Sequence, residues 1–524
     1  MRAITSDEMK SLEGYAVQLG IPSRILMENA GMKVAFTALH EVKRAKSAAV
    51  ICGNGGNGGD GFVAARYLHD AGVKTEVFLL QPETDIRSGD ALANLSVLKK
   101  LNIPLTVLSS DDDLGKLRDS IMASDIVLDA IFGIGFKGEI NGNASKAIGL
   151  INDSRKKILD KRPYTVISVD VPSGTDASTG EAASTCVEAD VTVTFEYPKI
   201  GLLKDPASRY AGKIITTGIG IPKPNPIEPE MPPAAAKPPV SGAKIEGIQV
   251  TDANFVSAIM PKRKVDSHKG TFGKVLVIAG SSGMMGAAVL TASAALRSGS
   301  GLVILCVPDS IKEFVNTMSL EVVVAGFKEI EENARECDVI AIGPGLSKGK
   351  DIDKLINSLL RSSNLKKALV LDADALNAIT DPNILKSNGL DIVITPHPGE
   401  FARLAGKSVE EIQKDRMGYA SRFAVDFGVT VVLKGAYTVI AGKDKQIYVN
   451  PVANPAMASA GVGDALTGLI ASLIGQGMTG FDAAVAGTFI HGMAGNLSAS
   501  LKGRQGLIAS DIIESIPYTI ESII

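Results

Sequence analysis

Eight of the 24 prolines fall between Ile221 and Val240: Pro222, Pro224, Pro226, Pro229, Pro232, Pro233, Pro238 and Pro239. Proline fixes φ and has no backbone N–H to donate, so this stretch forms neither a helix nor a central strand. It reads as a semi-rigid spacer that reaches roughly 60 Å when fully extended. The 524-residue chain is therefore expected to fold as two domains, 1–220 and 242–524, joined by a linker at 221–241. Each part is long enough to bury a core of its own.

Both parts alternate short β-branched runs with stretches of helical spacing. In the first, Ala48–Cys52, Thr75–Leu80, Asp125–Asp129, Thr165–Asp170 and Val191–Phe195 read as buried strands, with Gly61–Ala71 and Gly89–Leu101 as helices between them. In the second, the strand candidates are Lys274–Ala279, Leu302–Val307, Asp338–Ile342, Ala368–Asp372, Asp391–Thr395 and Thr430–Lys434. Strand–helix alternation predicts two α/β domains with largely parallel sheets. In such sheets ligands gather beyond the carboxyl ends of the strands.

Composition narrows the function classes. Lys and Arg number 54 against 57 Asp and Glu, for a net charge of −3, and no long basic block occurs. A nucleic-acid or anionic-membrane binder carries a basic footprint, so neither partner is expected. Cys52, Cys186, Cys306 and Cys337 lie far apart, which argues against a disulfide framework or zinc knuckle and suits a reducing cytoplasm. Met1 to Glu8 shows no apolar leader-like run, and no stretch of about 20 uninterrupted apolar residues occurs. A cytoplasmic protein acting on small molecules is expected.

In the first part, Gly53-Asn54-Gly55-Gly56-Asn57-Gly58-Gly59-Asp60-Gly61 follows a predicted strand and leads into a helical stretch. Glycines allow close backbone approach, and a helix start offers free N–H groups, a combination suited to phosphate. The plainer reading is a turn with Asp60 as a helix cap. Asp129 to Glu139 forms a second Gly-rich loop with one lysine, and Asp170-Val171-Pro172-Ser173-Gly174 ends another strand. Oxygens of Asn57, Asp129 and Ser173 suit a hard monovalent cation, or serve as ordinary caps. Asp170 is either an acid/base group or a ribose ligand. Gly-x-Gly-x-Asn-Gly-Gly-Asp-Gly, Asp-Ala-x-Phe-Gly with Phe-Lys-Gly, and Asp-x-Pro-Ser-Gly together resemble the NAD(P)H-hydrate epimerases. That resemblance implies a Rossmann-like α/β/α sandwich. It implies hydrate binding by Gly56, Asn57, Gly58, Gly59 and Asp60, and by Gly133, Ile134, Gly135, Phe136, Lys137, Gly138 and Glu139. Asp170 would stand at the reacting ring, and potassium would be held by Asn57, Asp129 and Ser173. The family often has two adjacent asparagines where this chain has Gly56-Asn57, so one side-chain contact is lost.

The second part carries another strand-to-helix glycine turn, Gly280-Ser281-Ser282-Gly283-Met284-Met285-Gly286-Ala287-Ala288. Three further motifs each follow a predicted strand: Gly343-Pro344-Gly345-Leu346, Asp372-Ala373-Asp374, and Thr395-Pro396-His397-Pro398-Gly399-Glu400. His397 stands between two prolines at a strand end, as a ligand contact or as a surface residue. Asp372 and Asp374 either organise a magnesium–phosphate network or cap the next helix. Lys434-Gly435-Ala436-Tyr437-Thr438 brings a lysine beside a flexible glycine, where it can reach phosphates. Ala460-Gly461-Val462-Gly463-Asp464 sets an aspartate at a helix tip, where it can take a proton from an attacking hydroxyl. No Gly-Lys-Ser/Thr follows, so this is not a Walker A loop.

His-Lys-Gly at His268–Gly270, Gly-Ser-x-Gly-Met-x-Gly-Ala, Gly-Pro-Gly-Leu, Thr-Pro-His-Pro-Gly-Glu and Asn-Pro-x-Met-Ala resemble the ADP- or ATP-dependent NAD(P)H-hydrate dehydratases, which have a ribokinase-like α/β fold. The resemblance implies that Ala287, Gly345, His397 and Asp464 contact the hydrate, with Asp464 as catalytic base. Lys434, Gly435, Ala436, Tyr437, Thr438 and Gly463 would bind the adenine nucleotide. The family often has Gly-Gly-Thr-Gly-Asp where this chain has Ala-Gly-Val-Gly-Asp, so a threonine hydroxyl is missing. The motif order resembles the fused bifunctional repair enzymes. These epimerise hydrated NADH and NADPH, then dehydrate the S form with magnesium and ADP as co-substrate, giving AMP and phosphate. A homo-oligomer is expected. The competing reading is a ribokinase-like hydroxyl kinase fused to a nucleotide-binding module.

Overall fold

The computed structural model describes residues 1–156, 164–222, 247–263, 266–362, 368–386 and 389–524. The chain forms two compact units, over Arg2–Lys244 and Ile245–Ile524. Apart from Ile221 and Pro222, the proline-dense spacer lies outside the described residues. Among the described residues no helix is long and apolar enough to cross a membrane.

The first unit is built on a seven-stranded parallel sheet. Its strands are β1 (Ser47–Cys52), β2 (Lys74–Leu79), β3 (Leu105–Val107), β4 (Ile126–Ala130), β5 (Thr165–Val169), β6 (Val191–Phe195) and β7 (Lys213–Thr217). Successive side chains of a strand point to opposite faces. In β1, Ala48, Val50 and Cys52 enter one hydrophobic core while Ala49 and Ile51 enter another. Both faces are thus covered by helices, which explains the unbroken apolar runs in the sequence. The spatial order β3-β2-β1-β4-β5-β6-β7 reverses direction between β1 and β4. The loops after those two strands part there and open a crevice, the usual ligand position of a doubly wound sheet.

The second unit has a ten-stranded sheet. Its strands are β8 (Gln249–Val250), β9 (Lys274–Ile278), β10 (Leu302–Val307), β11 (Val323–Gly326), β12 (Val339–Ile342), β13 (Ala368–Leu371), β14 (Asp391–Ile394), β15 (Thr430–Leu433), β16 (Val439–Ala441) and β17 (Ile447–Val449). The order is β11-β10-β9-β12-β13-β14-β15-β16-β17-β8. The strands from β11 to β15 are parallel, whereas β15, β16 and β17 form an antiparallel meander. Here the reversal falls between β9 and β12, so the loops at Gly280 and Gly343 flank the crevice.

One helix begins earlier than its sequence suggests. The expected start at Gly61 is observed at Gly56, with Gly55 as cap, so Gly56 to Asp60 form the first turns of Gly56–Asp70. Asp60 is therefore not the cap. Close packing is the reason for the glycines: a Cβ at Gly58 would lie 2.0 Å from the Gly53 carbonyl oxygen, and one at Gly61 would lie 2.5 Å from Ala130 Cβ. Only hydrogen fits at these positions, and low helix propensity is outweighed by tertiary contact.

Candidate active sites

In the first unit, three of the residues singled out are tied together through the loop after β4. Asp129, fully buried, accepts from Ser168 Oγ (2.7 Å), Ser173 Oγ (2.5 Å) and Ser173 N (2.9 Å). Ser173 Oγ in turn accepts from Phe132 N (2.9 Å). Beside this loop, a Cβ at Gly133 would touch Asn57 Oδ1 at 3.1 Å, which brings Asn57 to the same place. Asn57 is buried, and its Nδ2 has no hydrogen-bond partner among the described residues. Burial pushes the Asp129 carboxyl above its ordinary range, opposed by the hydrogen bonds from Ser173 and Ser168. Three buried oxygen-bearing side chains with one acidic group match the chemistry of a hard monovalent cation. Asp129, however, already spends both oxygens on protein donors.

Along the second Gly-rich loop, Phe132 and Phe136 stack at 5.2 Å while Lys137 and Glu139 are exposed. Glu139 Oε2 accepts from Ser184 N (3.0 Å) and Oγ (2.7 Å), which holds its carboxyl below the usual range. A cavity of about 300 Å³ borders this loop, lined in part by Phe136, Gly138, Glu139 and Gly174.

Asp170 follows β5 with φ 64, a left-handed conformation in which its N–H still reaches Val193 O at 2.8 Å. Its Oδ1 accepts from Lys199 Nζ (2.6 Å), Thr194 Oγ1 (2.9 Å) and Phe195 N (3.1 Å). Two more carboxyls sense its charge. Asp60 is raised well above the ordinary range by burial, then by Asp170 and Glu13. Glu13 is raised by burial and by Asp170. Lys199 and Glu13 were not singled out in the sequence. Lys199, four residues beyond the end of β6, carries no local signal of its own, because its partner Asp170 lies 29 positions away.

In the second unit the loops after β9 and β12 lock together. Gly280 N donates to Pro344 O (2.9 Å), and Ser281 Oγ donates to Gly345 O (2.7 Å). Gly345 has φ 63, and a Cβ there would meet Ala287 Cβ at 2.9 Å. Gly345 and Ala287 therefore line one wall together. His397 caps the helix Pro398–Ala405, its Nδ1 accepting from Gly399 N (3.0 Å) and Glu400 N (3.3 Å). The side chain is 58% exposed, and its Nε2 lies 3.5 Å from Glu400 Oε1. Its loop joins the next strand through Lys434 N, which donates to Pro396 O at 2.9 Å.

The center of this unit is a charged group at the tip of the helix Val462–Gly475. Lys434 Nζ donates to Asp372 Oδ1 (2.7 Å), and Thr467 Oγ1 donates to Asp372 Oδ2 (2.8 Å). A Cβ at Gly463 would lie 3.3 Å from Lys434 Nζ, so the ammonium stands over the backbone of the helix tip. Burial lowers the Lys434 pKa, but Asp372, Glu400 and Asp464 outweigh it and the ammonium is retained. Asp464, in the first turn, has no side-chain hydrogen bond among the described residues. Burial and the charges of Asp372 and Asp374 raise its pKa to about 6, with Lys434 opposing. Asp374 is otherwise engaged, accepting from Ser347 N at 2.9 Å.

The segment Lys434–Thr438 is shaped by a residue that sequence reasoning missed. Arg416 Nη1 donates to Ala436 O (2.7 Å), and its Nη2 to Leu433 O (2.9 Å) and Lys434 O (3.1 Å). Gly435 and Ala436 are exposed, whereas the Tyr437 ring is buried. Lys434, Gly463 and Asp464 are thus brought together, while Tyr437 is buried.

Two family models match the chain: one described as NAD(P)H-hydrate dehydratase over residues 275–518, and one described as YjeF-related protein N-terminus over residues 23–201. The bifunctional NAD(P)H-hydrate repair enzyme of Moorella thermoacetica is 37% identical over 100% of this chain and 97% of its own length. The chain belongs to the bifunctional NAD(P)H-hydrate repair enzymes. A second such repair enzyme, from Thermofilum pendens, is 35% identical over 100% of this chain and 97% of its own. Among solved structures, an ADP/ATP-dependent NAD(P)H-hydrate dehydratase from Bacillus subtilis, co-crystallized with ATP and magnesium, is 31% identical. It covers 53% of this chain and 99% of its own, with a TM-score of 0.48. Both units are α/β, each built on a largely parallel sheet, so the α/β expectation holds for each of the two matched regions.

Proposed function

We propose that the first unit interconverts the R and S forms of hydrated NADH and NADPH, and that the second dehydrates the S form at the expense of ADP, releasing NAD(P)H, AMP and phosphate. The observation that carries this reading is the Asp464 carboxyl, without a side-chain hydrogen bond among the described residues, beside Lys434 and the Gly463 backbone. A base with a pKa of about 6 is largely ionized at neutral pH yet still basic enough to accept a proton.

In the second unit, Asp464 takes the proton of the ring hydroxyl while that oxygen attacks the terminal phosphoryl of ADP and AMP departs. Lys434 and the N–H groups of the helix tip receive the charge that develops on the phosphoryl oxygens. The ring nitrogen then expels phosphate from the resulting ester, and loss of a proton from the neighboring ring carbon restores the double bond. Ala287, Gly345 and His397 border the space for the hydrate. Magnesium, when bound, neutralizes phosphate charge. Among the described residues no cluster of three ligating side chains awaits it. That fits an ion held mainly by the phosphates of the substrate. Lys434→Met is expected to lower kcat/KM for ADP by about a hundredfold or more, measured as AMP release, with epimerization as the unaffected comparison.

In the first unit, Gly56 to Asp60 and Gly133 to Glu139 bind the hydrate, and Asp170 moves a proton between the ring hydroxyl and the ring nitrogen as the bond between the hydroxyl-bearing carbon and that nitrogen opens to an aldehyde and recloses on either face. Potassium would lie between Asn57, Asp129 and Ser173, sharing the Asp129 oxygens with their serine donors, and would fix the two loops against each other. Replacing potassium by a bulky organic cation is expected to slow epimerization of the wild-type chain. A rate unchanged by that exchange would contradict the site.

The decisive assay supplies mixed epimers with ADP or with ATP and follows reduced nicotinamide and nucleotide products, with ADP the expected better donor. A stable phosphorylated hydrate would instead identify a hydroxyl kinase.

A further inference from the structure

Lys199 is among the largest fully buried side chains of the protein, with a side-chain exposure of 0%. A buried ammonium is costly unless every proton finds an acceptor. Its Nζ donates to Asp170 Oδ1 (2.6 Å), Phe195 O (2.9 Å) and Thr194 Oγ1 (3.0 Å), which uses its full complement of donors. The same Oδ1 also receives Thr194 Oγ1 and Phe195 N. One oxygen of Asp170 is therefore saturated, while Oδ2 has no hydrogen-bond partner among the described residues. The charged groups that face this carboxylate are Asp60 from the helix Gly56–Asp70, Glu13 from the helix Ser6–Gln18, and Lys199 itself. Glu13 and Asp170 both sense the Lys199 ammonium, and its hydrogen bond goes to Asp170.

We propose that Lys199 is a positioning residue for epimerization: it turns and charge-balances the Asp170 carboxylate so that Oδ1 is spent on the protein and Oδ2 is kept for the proton of the substrate. The inference rests on Asp170 meeting the reacting ring. Asp170 itself holds a left-handed backbone conformation, one of the sparsely populated ones that gather at functional sites. A lysine that served only to fill the core would need no carboxylate with a free second oxygen.

The test is a double-mutant cycle in the full chain, measuring the epimer ratio against time and pH. Lys199→Met is expected to lower kcat of epimerization by about a hundredfold with little change in KM. The acid limb of the kcat/KM profile is expected to move to higher pH, because a positive neighbor favors the ionized base. Lys199→Met combined with Asp170→Asn should be no slower than Asp170→Asn alone, since the lysine acts only through that carboxylate. Thr194→Val, a milder change that removes the hydroxyl shared by both residues, should move the same limb in the same direction by less. It serves as the deciding variant if the methionine chain does not fold, and an unmoved limb there counts against the proposal. A wild-type rate and profile in Lys199→Met, or a loss that adds in full to that of Asp170→Asn, overturns the role of Lys199 alone. Full epimerization by Asp170→Asn overturns the reading of the site.

Discussion

Asp464→Asn is expected to lower nucleotide-dependent dehydration by about a thousandfold, because an amide cannot take the hydroxyl proton. Epimerization, which uses another unit, should continue at the wild-type rate. Two further readouts separate loss of the base from loss of the fold. In the wild-type chain, dehydration should fall as pH drops through about 6, where Asp464 becomes protonated. Stability should move the other way. The folded carboxyl titrates at about 6 against an ordinary 3.8, so between those values the folded state holds more protons than the unfolded one. Stability therefore declines as pH rises through that window and is flat above it. Asparagine removes this penalty, so the thermal midpoint of the variant at neutral pH should equal or exceed that of the parent. A variant that dehydrates at full rate would remove Asp464 from the chemistry.

Asp170→Asn should do the converse in the first unit. Epimerization is expected to fall by at least about a hundredfold, while dehydration of supplied S hydrate proceeds normally. With mixed epimers, such a chain would consume the S form and stall on the R form. The variant also leaves Lys199 facing a neutral amide in a fully buried position. An uncompensated buried charge is strongly destabilizing, so a lower thermal midpoint should accompany the lost activity. Unchanged conversion of the R form would take Asp170 out of the reaction.

The two α/β units and their glycine-marked crevices were legible because buried parallel strands leave continuous apolar runs and because ligands collect at their carboxyl ends. Gly280, Gly345, Asp372, Lys434 and Asp464 were found in this way, each just beyond a strand or at a helix tip. The three-residue strands β16 and β17 escaped notice, since such short segments carry too little alternation to stand out. The early start of the helix at Gly56 was hidden because glycine is a poor helix former, and its role there is set by backbone packing across the sheet. Lys199, Arg416 and Thr467 were missed for a different reason. Each acts on a partner at least 17 positions away in the chain, and such pairing leaves no local pattern.

The measurement that tests the account most directly is conversion of an equal mixture of R and S hydrate by the full chain with magnesium and ADP. The account predicts that all of the hydrate returns as reduced nicotinamide coenzyme, with one AMP and one phosphate released for each. Exhaustion of the S form alone, or build-up of a phosphorylated hydrate that never yields reduced coenzyme, would contradict it.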